Sequence, residues 1–373
     1  MVKYKKGMSF MGDKKNNKRR FLLRSIFFIL LFLFLAAGCA SCYALTRIGK
    51  APDPSEQKFF ATLPNYRNGR FLNLEQVAMN TEKMAKGAGF FRFLFSSPNA
   101  PRRPYPRVEL IRKSFPDRPE EFNVCWLGHS SLIFELGGVR FMVDPVFGNA
   151  APLPGIVRRF VPSPLPREEI PELDFVVISH DHYDHLEYET IRAFRKKKFP
   201  IVTSLGVGAR LRGWGIPANR IIEMNWNNYT TVSGVKIVAH PARHFSGRTI
   251  DDRFTTLWSA FSFERNGKKI FYGADSGYGR HFAQIGKEHG PFDLVCLEID
   301  AWNERWPHNH SFPHEVIREF KELQGRMLLP IHWGVFDLAM HPYYESINKI
   351  CELAKTHNVP ILLPAMGERK RLP

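Results

Sequence analysis

The chain has 373 residues, 44% of them hydrophobic, enough for one large or two smaller domains around a sizeable core. Its net charge of +17 is not a nucleic-acid signature spread over a fold, because nine Lys/Arg crowd the first 24 residues against the single acid Asp13. Five cysteines (Cys39, Cys42, Cys125, Cys296, Cys351) are too few and too scattered for a disulfide framework.

In chain order, residues 1–24 read as a basic cytoplasmic tail. Residues 25–46 carry no charge, and as a helix they would span about 33 Å, the thickness of a hydrocarbon core. The positive flank predicts a transmembrane anchor with the rest of the chain on the extracytoplasmic, periplasmic side. The alternative is a cleaved signal: Leu35-Ala36-Ala37-Gly38-Cys39 is similar to a bacterial lipoprotein box and would leave Cys39 lipidated. The uncleaved anchor is the preferred reading. Cys39-x-x-Cys42 lies in this apolar stretch without a second pair, so it is not read as a redox or zinc site. Residues 47–106 read as a linker, proline-marked and with little structure over 47–70, followed by a flap. The flap holds Phe90-Phe91-Arg92-Phe93-Leu94-Phe95, suited to packing on the main domain, to lipid or to an acyl-chain groove. The compact domain is expected over 107–373.

Strand-like runs lie at 122–127, 131–136, 139–143, 175–179, 201–204, 235–240, 256–263, 269–273, 294–299, 327–331 and 361–363. Apolar spacing of three and four predicts helices around Tyr188, Ile191 and Phe194, around Val316, Ile317, Phe320 and Leu323, and around Ile347, Ile350 and Leu353. Early hairpins followed by strand–helix alternation predict an α+β fold of two mixed sheets covered by helices. Cys125 and Cys296, inside apolar runs, are expected as buried small hydrophobes.

The chemistry concentrates in His180-Asp181-His182-Tyr183-Asp184-His185, directly after the apolar Phe175-Val176-Val177. His180 and His182 lie two apart, so an extended backbone points both rings to one side. Asp184 and His185 come where the chain turns and face a second point. Imidazole and carboxylate suit zinc and its borderline neighbours. A two-metal site needs further ligands, and His244, Asp275 and His332 each follow a strand-like run. No Gly-x-Ser-x-Gly elbow is present, and Gly206-Val207-Gly208 lacks the third glycine of a dinucleotide loop, having Leu211 there. Asp181 is placed to orient a ligand ring, and Arg243 and Arg248 to pair with an anionic substrate.

Taken together, these stretches resemble the metallo-β-lactamase superfamily, and within it the N-acylphosphatidylethanolamine-hydrolysing phospholipase D group. The resemblance rests on Asn68-Gly69-Arg70-Phe71-x-Asn73, Trp126-Leu127-Gly128-His129-Ser130, Asp144-Pro145-Val146-Phe147 and the histidine motif. It continues through Pro241-Ala242-x-His244, Ala274-Asp275-Ser276-Gly277-Tyr278, Gly290-Pro291-Phe292-Asp293-Leu294 and Ile331-His332-Trp333-Gly334. It covers about 120–370 well and the region before 107 poorly.

The resemblance implies a four-layer αββα sandwich holding two Zn2+ ions, or other divalent metals. His180, His182 and His244 would take the first, Asp184, His185 and His332 the second, and Asp275 would bridge them. The cations would depress the pKa of a water into the neutral range and bind a phosphoryl oxygen. His129 is implied near the metals and substrate, and His310 as a group that stabilises a leaving oxygen or binds phosphate, so Asp184 and His310 are the expected catalytic pair. His240 is read as structural, and His308 and His314 as surface residues. The expected activity is hydrolysis of a lipid or amphiphilic phosphodiester at a membrane. The alternatives are a lactone substrate within the same superfamily or a non-catalytic zinc protein of the envelope. No nucleic-acid partner is expected.

Overall fold

The computed structural model describes residues 9–77, 99–117, 120–339 and 341–372, so the Phe-rich segment 90–95 lies outside the described residues. The chain divides into two units, Met1–Arg47 and Ile48–Pro373. The helix Ser9–Ile48 makes up the first. Its part Arg19–Ile48 is long and apolar enough to cross a membrane, and no other helix among the described residues is. Phe21, Phe27, Phe28, Phe32 and Phe34 stand exposed along it.

At the start of the second unit, the stretch expected to be a linker with little structure carries a capped helix and a hairpin. Asp53 caps the helix Pro54–Phe60, accepting the N–H groups of Ser55 and Glu56, while the Glu56 carboxylate accepts the Asp53 N–H. Pro54 sits in the first turn, where its missing N–H has no partner to lose. Phe60, Tyr66 and Phe71 then pack edge to face and bury against Trp226, Leu257 and Trp258. The prolines obscured this aromatic anchor in the sequence.

A small hairpin, β1 (Tyr66–Arg67) and β2 (Arg70–Phe71), precedes two mixed sheets. The strands β3 (Phe122–Trp126), β4 (Leu132–Leu136), β5 (Val139–Val143), β6 (Phe175–Ile178), β7 (Ile201–Ser204) and β8 (Ile221–Met224) come first. They are followed by β9 (Tyr229–Val232), β10 (Val235–His240), β11 (Ala260–Arg265), β12 (Lys268–Tyr272), β13 (Leu294–Glu298), β14 (Leu328–Ile331) and β15 (Arg369–Arg371). One sheet has the order β15-β3-β4-β5-β6-β7-β8, the other β14-β13-β12-β11-β10-β9. Pairing is antiparallel from β15 to β5 and parallel from β5 to β8. In the second sheet it is antiparallel from β9 to β12 and parallel from β12 to β14.

The period of two along the strands sorts side chains into layers. Val124 and Trp126 of β3, Phe141 and Val143 of β5, and Phe175 and Val177 of β6 face the core shared with the second sheet. Phe263 of β11 meets Phe134 and Phe141 across it. The alternate residues Cys125, Met142, Val176 and Ile178 face a second cluster with Ile191, Phe194, Leu211 and Trp214, from the helices Tyr188–Phe194 and Val207–Gly213 and its C-cap. The helices His281–His289, Pro313–Glu322 and Glu345–Thr356 bring Phe282, Ile317, Phe320 and Ile350 to the second sheet. The αββα architecture is the one expected. Cys125 and Cys296 are buried, as expected.

The strand reading missed β1, β2, β8, β9 and β15. The last is Arg-Lys-Arg, an edge strand held to β3 by backbone pairing and by the Arg369–Glu135 ion pair, with no apolar face to announce it. The run 361–363 supplies only a bridge from Ile361 to Leu328. More important for function, the C-terminal ends of β3, β5, β6, β10, β12, β13 and β14 each deliver a His, Asp or Glu to one place.

Candidate metal centre

His129, Asp144, His180, His244, Asp275 and His332 all follow buried strands, and Glu298 ends one. The chain must swing sharply as it leaves those strands. His129, Asp144, Ala274 and His332 take positive φ values of 53, 40, 51 and 65°. Such non-glycine conformations cost about 1–3 kcal/mol each and persist only where the surroundings fix them. Two backbone bonds do so here. The N–H of His129 donates to Trp333 O and that of His332 to His129 O, joining the two sheets across the floor of the site. Trp126 stacks on Trp333 beneath, with centroids 5.1 Å apart.

The donors form two adjoining sets. In the first, His180 Nε2 lies 2.9 Å from His182 Nδ1, which lies 3.2 Å from His244 Nε2. Asp275 Oδ2 is 3.8 Å from His180 Nε2 and 3.5 Å from His244 Nε2. In the second, Asp184 Oδ2 lies 3.5 Å from His332 Nε2, 3.6 Å from His185 Nε2 and 3.0 Å from His129 Nε2. Asp275 completes this set too, at 3.0 Å from His185 Nε2 and 3.1 Å from His332 Nε2. Tetrahedral zinc with bonds of about 2.0–2.1 Å places neighbouring donors roughly 3.3 Å apart, so both sets have the right spacing. The buried atoms His185 Nε2, His332 Nε2 and Asp275 Oδ1 close no well-angled hydrogen bond. Buried polar atoms rarely go without a partner, and these three converge on one point. The residues therefore fit a pair of divalent cations.

Charge points the same way. Burial pushes the imidazoles of His180, His182 and His244 below their ordinary pKa, so they stand neutral with lone pairs available. Burial also opposes charge on Asp184 and Asp275, yet His185 and neighbouring imidazoles hold both well below the usual carboxylate range. Conversely, against burial, Asp275 and Asp184 raise His185 strongly, and Asp275 lifts His332 to about 10. The second set thus draws positive charge; the first offers neutral nitrogen.

A further layer orients the donors. Asp144 accepts His185 Nδ1–H at 2.7 Å, Ser179 Oγ–H at 2.5 Å, the Ser179 N–H at 2.7 Å and Tyr272 O–H at 2.6 Å. Asn73 clamps the backbone of His244 from both sides, its amide bonding the N–H and the C=O. His310 Nδ1 sits 2.5 Å from Glu298 Oε2, and Glu298 also accepts the Ser276 N–H. Burial raises the Glu298 carboxyl above its ordinary value, partly countered by His310. Glu298 escaped sequence reasoning, and Asp144 was noted only as part of a motif. Both carry the signal that revealed the ligands, an acid at the end of an apolar strand.

Other expectations fared differently. His129 is buried at the second set, its pKa pushed to about 3 by burial and by His332, and it bonds Asp184. Asp181 touches no ligand ring: it is buried in an ion pair with Arg210 and accepts the Gly247 N–H. Arg243 and Arg248, expected to meet an anionic substrate, are engaged within the protein. Arg243 bonds the Glu75 carboxylate and the Tyr278 carbonyl. Arg248 donates to the carbonyls of Asp181 and Leu186 and stacks on Tyr183, so it braces the histidine loop. His240 bonds Ser262 Oγ at 2.7 Å away from the cluster, a structural role.

Above the donors opens a cavity of about 590 Å³ lined by His182, Asp184, His310, Phe245, Trp306 and Leu338, among others. Polar donors thus lie at its bottom and large apolar side chains around its rim.

A family model described as the Beta-lactamase superfamily domain matches residues 139–333. An uncharacterised protein of Mycobacterium tuberculosis is 38% identical over 312 residues, 82% of this chain and 84% of that one. The N-acyl-phosphatidylethanolamine-hydrolyzing phospholipase D 1 of Caenorhabditis elegans is 32% identical over 243 residues, 61% of this chain and 68% of that one. Among solved structures, the isothiocyanate hydrolase from Delia radicum gut bacteria superposes with a TM-score of 0.56 at 21% identity. It covers 67% of this chain and 99% of its own, which speaks to the fold alone.

Proposed function

The chain belongs to the beta-lactamase superfamily as a metal-dependent hydrolase, and from that premise we propose that it is a membrane-anchored, two-zinc phosphodiesterase for an amphiphilic phosphodiester. The observation that carries the reading is the shared carboxylate: Asp275 lies within 3.8 Å of donors in both sets, as a bridge between two cations requires. When bound, the cations supply a water acidified into the neutral range and Lewis acidity for a phosphoryl oxygen. The chain's own residues do the rest. His180, His182 and His244 would offer neutral nitrogens to one ion, Asp184, His185 and His332 would hold the other, and the carboxylates of Asp184 and Asp275 would offset part of their charge. His310, held by Glu298 through Nδ1, presents its ring to the cavity, where it can donate a proton to the departing oxygen. Phe245, Trp306 and Leu338 line the cavity and suit an apolar substituent.

The lipid part of the reading draws on the worm relative's named substrate and on the helix Arg19–Ile48, whose exposed apolar side chains suit hydrocarbon. Anchored there, with the basic tail held in the cytoplasm, the hydrolase unit would work on the extracytoplasmic face.

The test is hydrolysis of bis-p-nitrophenyl phosphate and of an N-acylated phosphatidylethanolamine by the zinc-loaded full-length chain. Both substrates should be cleaved, metal analysis should find about two ions per chain, and Asp184→Asn should abolish turnover with an unchanged circular dichroism spectrum. Full activity in Asp184→Asn would remove the assigned site, and cleavage of lactones alone would replace the substrate class.

A further inference from the structure

The loop that follows His244 runs along the cavity rim and is tightly built. The Ser246 carbonyl accepts the Phe254 N–H at 3.1 Å, and Ser246 Oγ donates to Thr256 O at 2.5 Å, closing the loop on itself. Gly247 has φ of +129°, and a Cβ there would come within 2.9 Å of Arg253 Cα, so only glycine lets the two arms approach. Two of the four charges inside the loop are committed. Arg248 serves the carbonyls of Asp181 and Leu186. Asp252 accepts the amides of Arg248 and Thr249 and pairs with Arg210 at 2.5 Å.

Of the other two, Asp251 is exposed, which leaves Arg253. It lines the cavity, half-buried, with its guanidinium 4.7 Å from the centre of the Phe245 ring and 5.9 Å from that of Phe254. Its Nε is buried without a hydrogen-bond partner, and no carboxylate pairs with it among the described residues. Burial, and then the neighbouring charge of Arg70, pull its pKa below the ordinary arginine value. A half-desolvated, unpaired cation held in place by a closed loop is a receptor for an anion. Its position says which anion. Phe245 also packs on His182 and His244, with centroids 4.5 and 4.8 Å away, so one aromatic ring separates Arg253 from the ligand imidazoles.

We propose that Arg253 binds a second negative charge on the substrate, beside the Phe245 ring that flanks the ligand imidazoles, and so selects amphiphilic phosphodiesters with an additional anionic group. The proposal rests on the phosphodiesterase reading for its scissile group but not for the anion contact itself. The contact is a charge-assisted hydrogen bond that the unsubstituted headgroup cannot make.

The experiment compares lysophosphatidylserine with lysophosphatidylethanolamine, which share a phosphodiester and an acyl chain and differ by one carboxylate. Turnover and, in parallel, calorimetric binding are measured on the zinc-loaded full-length chain, on Arg253→Gln and on Arg253→Lys. The parent chain should favour the carboxylate-bearing lipid by about tenfold in kcat/KM and in affinity, the worth of one hydrogen bond to a charged group. Arg253→Gln should erase that ratio while changing the other lipid by less than about twofold, and Arg253→Lys should retain part of it. No preference in the parent chain, or an equal loss on both lipids, overturns the proposal. If neither lipid is cleaved, the phosphodiesterase reading falls, and the binding ratio still decides the role of Arg253.

Discussion

The floor of the cavity and its rim are built on opposite terms. On the floor the groups behind the donors are held several times over: Asp144 accepts four donors, Asn73 grips His244 on both sides, and two sheets meet in the His129–Trp333 bridge. On the rim, Ile250 stands 89% exposed and Arg253 makes no ion pair among the described residues, while Phe245, Trp306 and Leu338 offer only apolar surface. Rigid placement of charge belongs where bonds are cleaved. Apolar surface around one unpaired cation belongs where a substrate is chosen, because selection needs contact area and a charge to read.

The contrast can be broken by mutation, starting where the floor is most concentrated. Asp275→Ala removes the donor common to both sets. Turnover of bis-p-nitrophenyl phosphate should fall by about a thousandfold or more, with bound metal dropping below about one ion per chain. Retention of both ions would mean that the two sets are independent sites. One step out, Asp144→Asn keeps the shape but loses an acceptor on His185. Metal affinity should weaken by roughly 10–100-fold, measured by competition with a chelating dye, with a smaller change in substrate KM. An unchanged affinity would show that the network around Asp144 serves stability alone. On the rim, Ile250→Ser should raise KM for an amphiphilic phosphodiester about threefold, lower kcat by no more than about twofold and alter stability by about 0.5 kcal/mol at most. A kcat loss matching that of Asp144→Asn would erase the distinction between floor and rim.

The same division decides what could be read from the chain. Floor residues are histidines and acids directly after apolar strands, and that coincidence is visible without a structure. His180, His182, His244 and Asp275 converge as their positions suggest, and so do Asp184, His185 and His332. Glu298 and Asp144 obey the rule and were passed over, Glu298 because a single acid ending Leu294–Glu298 reads as ordinary strand polarity. The rim follows no such rule. Arg243, Arg248 and Arg253 are equivalent in a sequence. What separates them is whether a carbonyl or carboxylate stands within reach, and that is supplied by segments distant in sequence, Glu75 and Tyr278 for Arg243, Asp181 and Leu186 for Arg248. The helix Pro54–Phe60 and strand β15 were hidden for related reasons, one behind prolines and the other behind charge.

One feature of the floor reaches beyond catalysis. Each donor set takes residues from both sheets: His180 and His182 follow β6 while His244 follows β10, and Asp184 and His185 face His332 after β14. A cation bound to either set is therefore a cross-link, stapling positions more than 60 residues apart in one case and about 150 in the other. It restricts the unfolded chain as a disulfide would, since closing a longer loop removes more conformational freedom. For a hydrolase with no disulfide among its described cysteines, metal supply would set how long the sandwich survives as well as how fast it works.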